Sequence, residues 1–121
     1  MQEYILAESK NYIIFGEYET VTLVIKETGR RLQIGDFYGD PEMAVISEDE
    51  RYCVMCGCGV IVYCLEEPFQ EYRYHTETQQ WREWGREQDA IVWVESVRFV
   101  DAETIEVVLE DGKRVLEKCT G

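Results

Sequence analysis

Apolar and polar residues alternate with a period of two along much of this chain, the pattern of a strand with one buried face. In "TVTLVI", Thr20–Ile25, residues Val21, Leu23 and Ile25 share a face opposite Thr20, Thr22 and Val24. "RRLQIG" follows after "KETG". A two-residue turn at Thr28-Gly29 sets Ile25 opposite Leu32 and Leu23 opposite Ile34, with Lys26 and Gln33 on the other face. "TIEVVLEDGKRVLEK" repeats the arrangement further on. There an Asp111-Gly112 turn of type I′ sets Val107 opposite Leu116 and Glu110 opposite Lys113.

The two hairpins resemble each other, at a spacing of 84 residues from Phe15 to Phe99. "FGEYETVTLVIKETGRRL" and "FVDAETIEVVLEDGKRV" share an aromatic start, a Glu-Thr pair, an alternating apolar run, then acid, Gly, base and Arg. The spacing is too long for a solenoid, and two hairpins meeting the same physical demands account for the likeness. Between them, residues 35–44 are turn-rich, "MAVIS" reads as a short strand and "EDE" as an acidic turn. "IVWVESVRFV" is β-branched and strand-like. Residues 76–87 fit either strand, by the alternation of Tyr72, Tyr74, Thr76 and Thr78, or a short helix capped by Thr76 or Thr78. No linker or low-complexity stretch interrupts residues 1–121. The expectation is a mainly β, single-domain antiparallel β-sandwich or open barrel of about eight or nine strands, with at most one or two short helices.

Four of the five cysteines fall in "RYCVMCGCGVIVYC". Cys53-Val54-Met55-Cys56 is half of a zinc knuckle, and a structural zinc site needs four such ligands. Cys58, Cys64, Cys119 or His75 would have to complete it. A hairpin turning at Gly57-Cys58 explains more of the residues. It sets Cys56 opposite Gly59, Val54 opposite Ile61, Cys53 opposite Val62 and Tyr52 opposite Tyr63. Strand alternation then points Cys53 and Cys56 to opposite faces, where they cannot share a metal or act as a redox pair. Cysteine packs well as a small hydrophobe, so buried thiols are expected and no metal; a metal, if present, would sit at Cys53, Cys56 and Cys58.

Charge narrows the range of partners. Acids outnumber bases 25 to 12, for a net charge of −13. Nucleic acid and anionic membranes are therefore expected to be poor partners, whereas a basic protein suits the field. Solubility alone also accounts for such a balance. No apolar run approaches the ~20 residues of a membrane helix, and "MQEYILAESK" lacks the basic start of a signal peptide. An odd, clustered set of cysteines fits a reducing compartment, so a cytoplasmic location is expected.

No calcium loop, phosphate loop or nucleophile elbow is present, and carboxylate pairs arise by chance in so acidic a chain. His75, in "EYRYHTE", has no orienting partner of the kind that acid–base catalysis needs. No catalytic residue and no cofactor are assigned. The aromatic segment carries more weight. Phe69, Tyr72, Tyr74, Trp81 and Trp84 interleave with Arg73, Arg82 and Arg86. These residue types are enriched at protein interfaces, although a tryptophan closing the core fits Trp81 or Trp84 as well. Candidate partner-binding residues are thus Tyr72, Tyr74, Trp81 and Trp84, with the acids Glu48, Asp49, Glu50, Glu66 and Glu67.

The run "GDFYGDPEMAVISEDERYCVMCGCGVIVYCL", followed by Pro68-Phe69, Tyr72-Arg73, a tryptophan and Trp84-Gly85-Arg86-Glu87, resembles the small β-rich bacterial immunity proteins that accompany secreted polymorphic toxins. The likeness covers residues 35–88 and carries no residue role over. It implies a non-catalytic cytosolic protein that binds a cognate, nuclease-like toxin domain and blocks its active site. An acidic inhibitor would be steered to a basic toxin, with acidic turns at Glu17/Glu19, Glu48 to Glu50 and Glu66/Glu67 supplying the field. Three alternatives remain open. One is a small-ligand-binding β-barrel or enzyme with a pocket at Tyr52, Tyr63 or Trp93. Another is a zinc-stabilised interaction module built on Cys53, Cys56, Cys58 and one further ligand. The last is a homodimer paired through edge strands rather than a monomer.

Overall fold

The computed structural model describes residues 3–37, 41, 43–74, 76, 78–87 and 89–119. Eleven strands follow one another: β1 (Tyr4–Glu8), β2 (Tyr12–Glu17), β3 (Thr20–Ile25), β4 (Arg30–Asp36), β5 (Met43–Ile46), β6 (Tyr52–Gly57), β7 (Gly59–Cys64), β8 (Trp81–Trp84), β9 (Val94–Phe99), β10 (Thr104–Leu109) and β11 (Arg114–Lys118). The chain is all-β, with more strands than the eight or nine expected and no helix among the described residues. The open choice for residues 76–87 resolves to the single short strand β8. Its neighbours His75, Glu77 and Gln88 lie outside the described residues, as do 38–40 and 42 of the turn-rich stretch. No helix of the described residues is long and apolar enough to cross a membrane.

The strands form three open antiparallel sheets, ordered β1-β2-β3-β4, β5-β6-β7-β8 and β11-β10-β9. The second sheet is central, and its two faces feed different cores. Cys53 and Met55 of β6 and Ile61 and Tyr63 of β7 pack with Ile14, Val21, Leu23, Leu32 and Ile34 of the first sheet. Their sequence neighbours Tyr52, Val54, Cys56, Val60 and Val62 pack instead with Val97, Ile105 and Val107 of the third. Every residue of β6 is consequently buried, as is β7 up to Tyr63. That is why this stretch reads as a nearly unbroken apolar run: a strand covered on both faces has no polar side to show. Burying each such side chain contributes about 1.5–3 kcal/mol.

The hairpins form where the pattern places them, and their registers differ from the expectation for one reason, the length of the turn. The β3–β4 loop takes four residues, Lys26 to Gly29, closed by the Gly29 N–H on the Ile25 carbonyl at 2.8 Å. Leu23 therefore faces Leu32 and Ile25 faces Arg30. This slip of two residues keeps every side chain on its expected face. The β10–β11 turn takes three residues. Gly112 sits at φ 90°, and the Leu109 N–H bonds the Lys113 carbonyl at 2.8 Å. Type I turns closed by a left-handed residue make loops of this length. The slip is now one residue, which turns β11 over: Val107 faces Val115, and Leu116 faces Glu106 with 65% of its surface exposed. In the cysteine hairpin the chain reverses at Cys58 alone, between paired Gly57 and Gly59. Cys53 thus faces Tyr63, Val54 faces Val62, Cys56 faces Val60 and Tyr52 faces Cys64. Gly59 at φ 77° is required there, since a Cβ would lie 2.3 Å from Arg86 Cγ and 2.5 Å from the Trp84 carbonyl oxygen.

The similar hairpins do not pair alike. Phe15 faces Thr22, whereas Phe99 faces Ile105, one step out of the equivalent register. What they share is the inward face, Val21 and Leu23 in one, Ile105 and Val107 in the other. Shared demands of burial account for that.

The register of β11 is open to a direct test by urea unfolding. Leu116→Lys is expected to change stability by less than about 0.5 kcal/mol, as a surface exchange does. Ile105→Ala, at a fully buried position, is expected to cost about 2–5 kcal/mol.

Candidate functional site

Two regions gather the polar and aromatic residues that the pattern singles out. The first is one end of the molecule. The β5–β6 turn carries Glu48, Asp49 and Glu50, and the Leu65 N–H donates to the Arg51 carbonyl at 2.9 Å, which brings Glu66 and Glu67 beside that turn. Arg51 pairs with Glu103 of the β9–β10 turn at 3.2 Å. Acids from three connections therefore meet.

Two of them serve the fold directly. Asp49 accepts from the Ser47 hydroxyl at 2.8 Å and the Arg51 N–H at 3.1 Å, and these bonds hold its carboxyl below the usual range. Glu50 accepts from the Ser9 hydroxyl and from Asn11, through the backbone at 2.9 Å and the side chain at 2.6 Å. It ties the β1–β2 turn to the β5–β6 turn, and the Ser9 bond foremost lowers its carboxyl pKa. The Glu103 N–H does the same for Asp101. Glu48, Glu66 and Glu67 stand exposed, with Glu67 only loosely paired to Arg30 at 3.9 Å. Burial raises the Tyr12 hydroxyl pKa, and the nearby charges of Glu50 and Glu67 add to the shift.

The second region is β8 and its surroundings. Tyr72 and Trp81 are buried, their rings 5.2 Å apart, and Trp81 stacks on Tyr63 at 6.2 Å. Their ring faces pack together and close the first core, so those faces are not a contact surface. Trp84 is half-buried against the second core. Tyr74 is exposed, and its hydroxyl donates to the Arg86 carbonyl at 3.0 Å. Tyr52 and Tyr63 belong to opposite cores and Trp93 is exposed, so these three line no common pocket.

Arg86 organises this end of β8. It is buried, donates to the Cys58 carbonyl at 2.7 Å and to the Asp36 carbonyl, and pairs with Glu83 at 2.7 Å. The guanidinium lies 4.7 Å from the Phe37 ring centre, with Tyr72 and Tyr74 further round. Glu83 also accepts from the Tyr72 hydroxyl at 2.5 Å; burial first, then that bond, raises the tyrosine pKa. The i, i+3 spacing of Glu83 and Arg86 was legible in the sequence. Their burial was not, because it depends on Asp36 and Phe37 arriving from β4.

A groove of about 680 Å³ runs beside β8, lined by Thr76, Thr78, residues 81–84 of the strand, Gly85, Arg86 and Glu87. Side chains from both faces of β8 line it, which places the groove along the strand's free edge. The ladder shows which backbone groups open there. The Cys64 N–H bonds the Gln80 carbonyl at 2.7 Å, so alternate pairs, Val62 with Arg82 and Val60 with Trp84, share ladder bonds. The N–H and C=O groups of Trp81 and Glu83 then point outward. No described residue bonds them, and the Trp81 indole N–H is buried without an acceptor among the described residues.

The cysteines form no site of this kind. Cys53 and Cys56 stand in different cores, as alternation requires, and Cys58 belongs with Cys53. Among the described residues no three His, Cys, Asp or Glu groups stand close enough together to hold a metal. All five thiols are free; burial pushes Cys53 up to about 12 and Cys119 to about 11.

Three expectations follow, for unfolding, for thiol reactivity and for the pH dependence of stability. Glu83→Gln leaves the Arg86 charge uncompensated in a buried setting, and is expected to cost about 3–5 kcal/mol in denaturant unfolding. Among thiols, half-buried Cys64 is expected to react first with an aromatic disulfide reagent, and Cys64→Ser to remove most of the native reactivity. The unfolded thiol ionises near 9 while native Cys53 stays neutral to about 12, so its share of stability is full below 9 and is lost as the pH climbs from there. No protein-family model matches this chain, and no curated protein and no solved structure matches it.

Proposed function

We propose that this chain is a non-catalytic acidic protein-binding module, an immunity-type inhibitor that neutralises a basic, nuclease-like toxin domain. The single observation that carries the reading is the convergence of carboxylates from separate connections at one end. Asp49, Glu50 and Asp101 are held anionic by their hydrogen bonds, while Glu48, Glu66 and Glu67 project beside them. A rigid rim on which acids predominate speeds encounter with an opposite surface by roughly 10- to 10³-fold. The net charge of −13 supports the same partner. The scaffold is read as a β-sandwich with one extra layer. A cytoplasmic setting fits its five free thiols.

The test uses protein isolated gently from its own host at low salt and weighed by native mass spectrometry. A one-to-one complex with a basic protein is expected, with an association rate that falls as salt shortens the Debye length from about 30 Å at 0.01 M to about 8 Å at 0.15 M. Replacing Glu48, Glu66 and Glu67 together by glutamine should slow association about tenfold or more at low salt and leave the melting temperature unchanged, since none of the three holds a turn together. A partner bound with no dependence on salt would defeat the proposal, and so would the recovery of a bare chain.

A further inference from the structure

Four backbone groups of Trp81 and Glu83 face the groove with no described partner, at the free edge of a sheet otherwise covered on both faces. Such an edge is a template for another strand. From this geometry we infer that the groove takes an extended, basic segment of the partner protein, which joins the central sheet as a fifth strand beside β8. The inference rests on the protein-binding function proposed above and says where, and in what conformation, part of the partner docks.

The edge is bounded at both ends. Beyond Trp84 the Gly85 carbonyl already accepts the Val92 N–H at 2.8 Å, so pairing stops there. At the other end β8 begins at Trp81, and Gln80 adds no outward group: its carbonyl accepts the Cys64 N–H at 2.7 Å and its N–H is taken by the Thr78 hydroxyl at 2.8 Å. An incoming strand therefore exchanges its bonds with Trp81 and Glu83 alone, from two of its residues set two apart. Thr76 and Thr78 line the groove as well. Trp81 adds a second, independent feature: a residue 95% buried by its 5% exposure, in the groove wall, whose indole N–H has no acceptor among the described residues. Buried donors are normally satisfied, and an acceptor on the incoming strand would satisfy this one.

Charge selects the occupant. The two cations in the wall are committed elsewhere: Arg82 donates to the Lys118 carbonyl at 2.8 Å, and Arg86 to Cys58, Asp36 and Glu83. Glu83 balances the Arg86 charge, and Arg82 is anchored through one nitrogen at the Lys118 carbonyl. Exposed Glu87 lines the groove, on a chain of net charge −13. Lysine and arginine on the incoming strand meet that field.

A second copy of this chain fits poorly. A two-fold axis normal to the sheet keeps each face with its equal, so a symmetric pair of β8 strands centres on a residue, not between two. Centred on β8, it sets Arg82 against the same arginine or Glu83 against the same glutamate. Like charges directly opposite are destabilising.

The probe is a displayed library of random twelve-residue peptides, panned over the full chain at low salt. Retained peptides are then titrated into ¹⁵N-labelled protein. The expected peptides carry Lys or Arg at alternate positions, shift the amides of Trp81 and Glu83 and the Trp81 indole, and slow exchange of those amides at least about tenfold. Methylating alternate peptide nitrogens should abolish binding. Thr76→Trp, at an exposed residue lining the groove, should weaken it at least about tenfold without altering the unfolding midpoint. The inference is overturned by a panning that retains nothing, by peptides that map elsewhere, or by binding indifferent to Thr76→Trp. A basic protein partner that binds but leaves Trp81 and Glu83 unmoved removes this inference alone. A chain that takes the peptides and has no basic protein partner removes the function proposed above instead.

Discussion

A β-sheet covered on both faces has no polar side for its strands to present, and this constraint shapes the rest of the molecule. β6 and β7 must be apolar at successive positions, yet stacked sheets lie only about 10 Å apart, which limits side-chain bulk. Cysteine, valine and glycine meet both demands, and "CVMCGCGVIV" is made almost wholly of them. The thiols are thus explained by packing: Cys53 fills one interlayer, Cys56 the other, and Cys58 caps the reversal between them. The same constraint exports polarity. Carboxylates are pushed to turns, to strand edges and to the outer faces of the flanking sheets.

The second requirement is closure at the β8 end. The central sheet meets the end of β4 there, and the carbonyls of Asp36 and Cys58 both point inward. Unpaired buried carbonyls are costly, and a single guanidinium serves both at once. The buried charge this brings needs its own counterion, supplied by Glu83 three residues earlier. Tyr72 then completes the carboxylate's bonds and seals the aromatic wall. Replacing a buried ion pair by apolar groups is often neutral for stability, so pairing alone is a weak reason for Arg86. Its reach to two carbonyls on different sheets is the stronger one.

How much of this was legible depends on which physical cue each feature follows. The hairpins β3–β4, β6–β7 and β10–β11 were visible because alternation is local. Their registers were not, because a dipeptide such as Thr28-Gly29 or Asp111-Gly112 marks a turn without giving its length. The consequences differ: a slip of two left Leu23 facing inward, whereas a slip of one turned Leu116 out to solvent. The third layer was hidden for a different reason. A doubly covered strand and a simple core hairpin share the same apolar run, and only β9 to β11 packing on the far side separates them. Among the candidate residues, exposure of Glu48, Glu66 and Glu67 follows from turn chemistry. The burial of Tyr72 and Trp81 follows from tertiary contacts with Tyr63 and Arg86, which no local pattern carries.

Layering also restricts where such a molecule meets a partner. Both faces of the central sheet are consumed by the cores. The outer face of the third sheet is crossed by Arg98 and Arg114 on Glu106, and that of the first by Arg31 over Phe15. What remains is the ends, where turns collect charge, and the edge at β8, where the backbone groups of Trp81 and Glu83 have no partner among the described residues. β5, at one edge of the central sheet, runs beside β1 and β9. β8, at the other, faces the groove. Charge at an end attracts a partner from a distance and specifies little about its shape. Backbone pairing at an edge acts only on contact and demands an extended segment. In the proposed function the two are separate, steering at the acidic end and docking at β8.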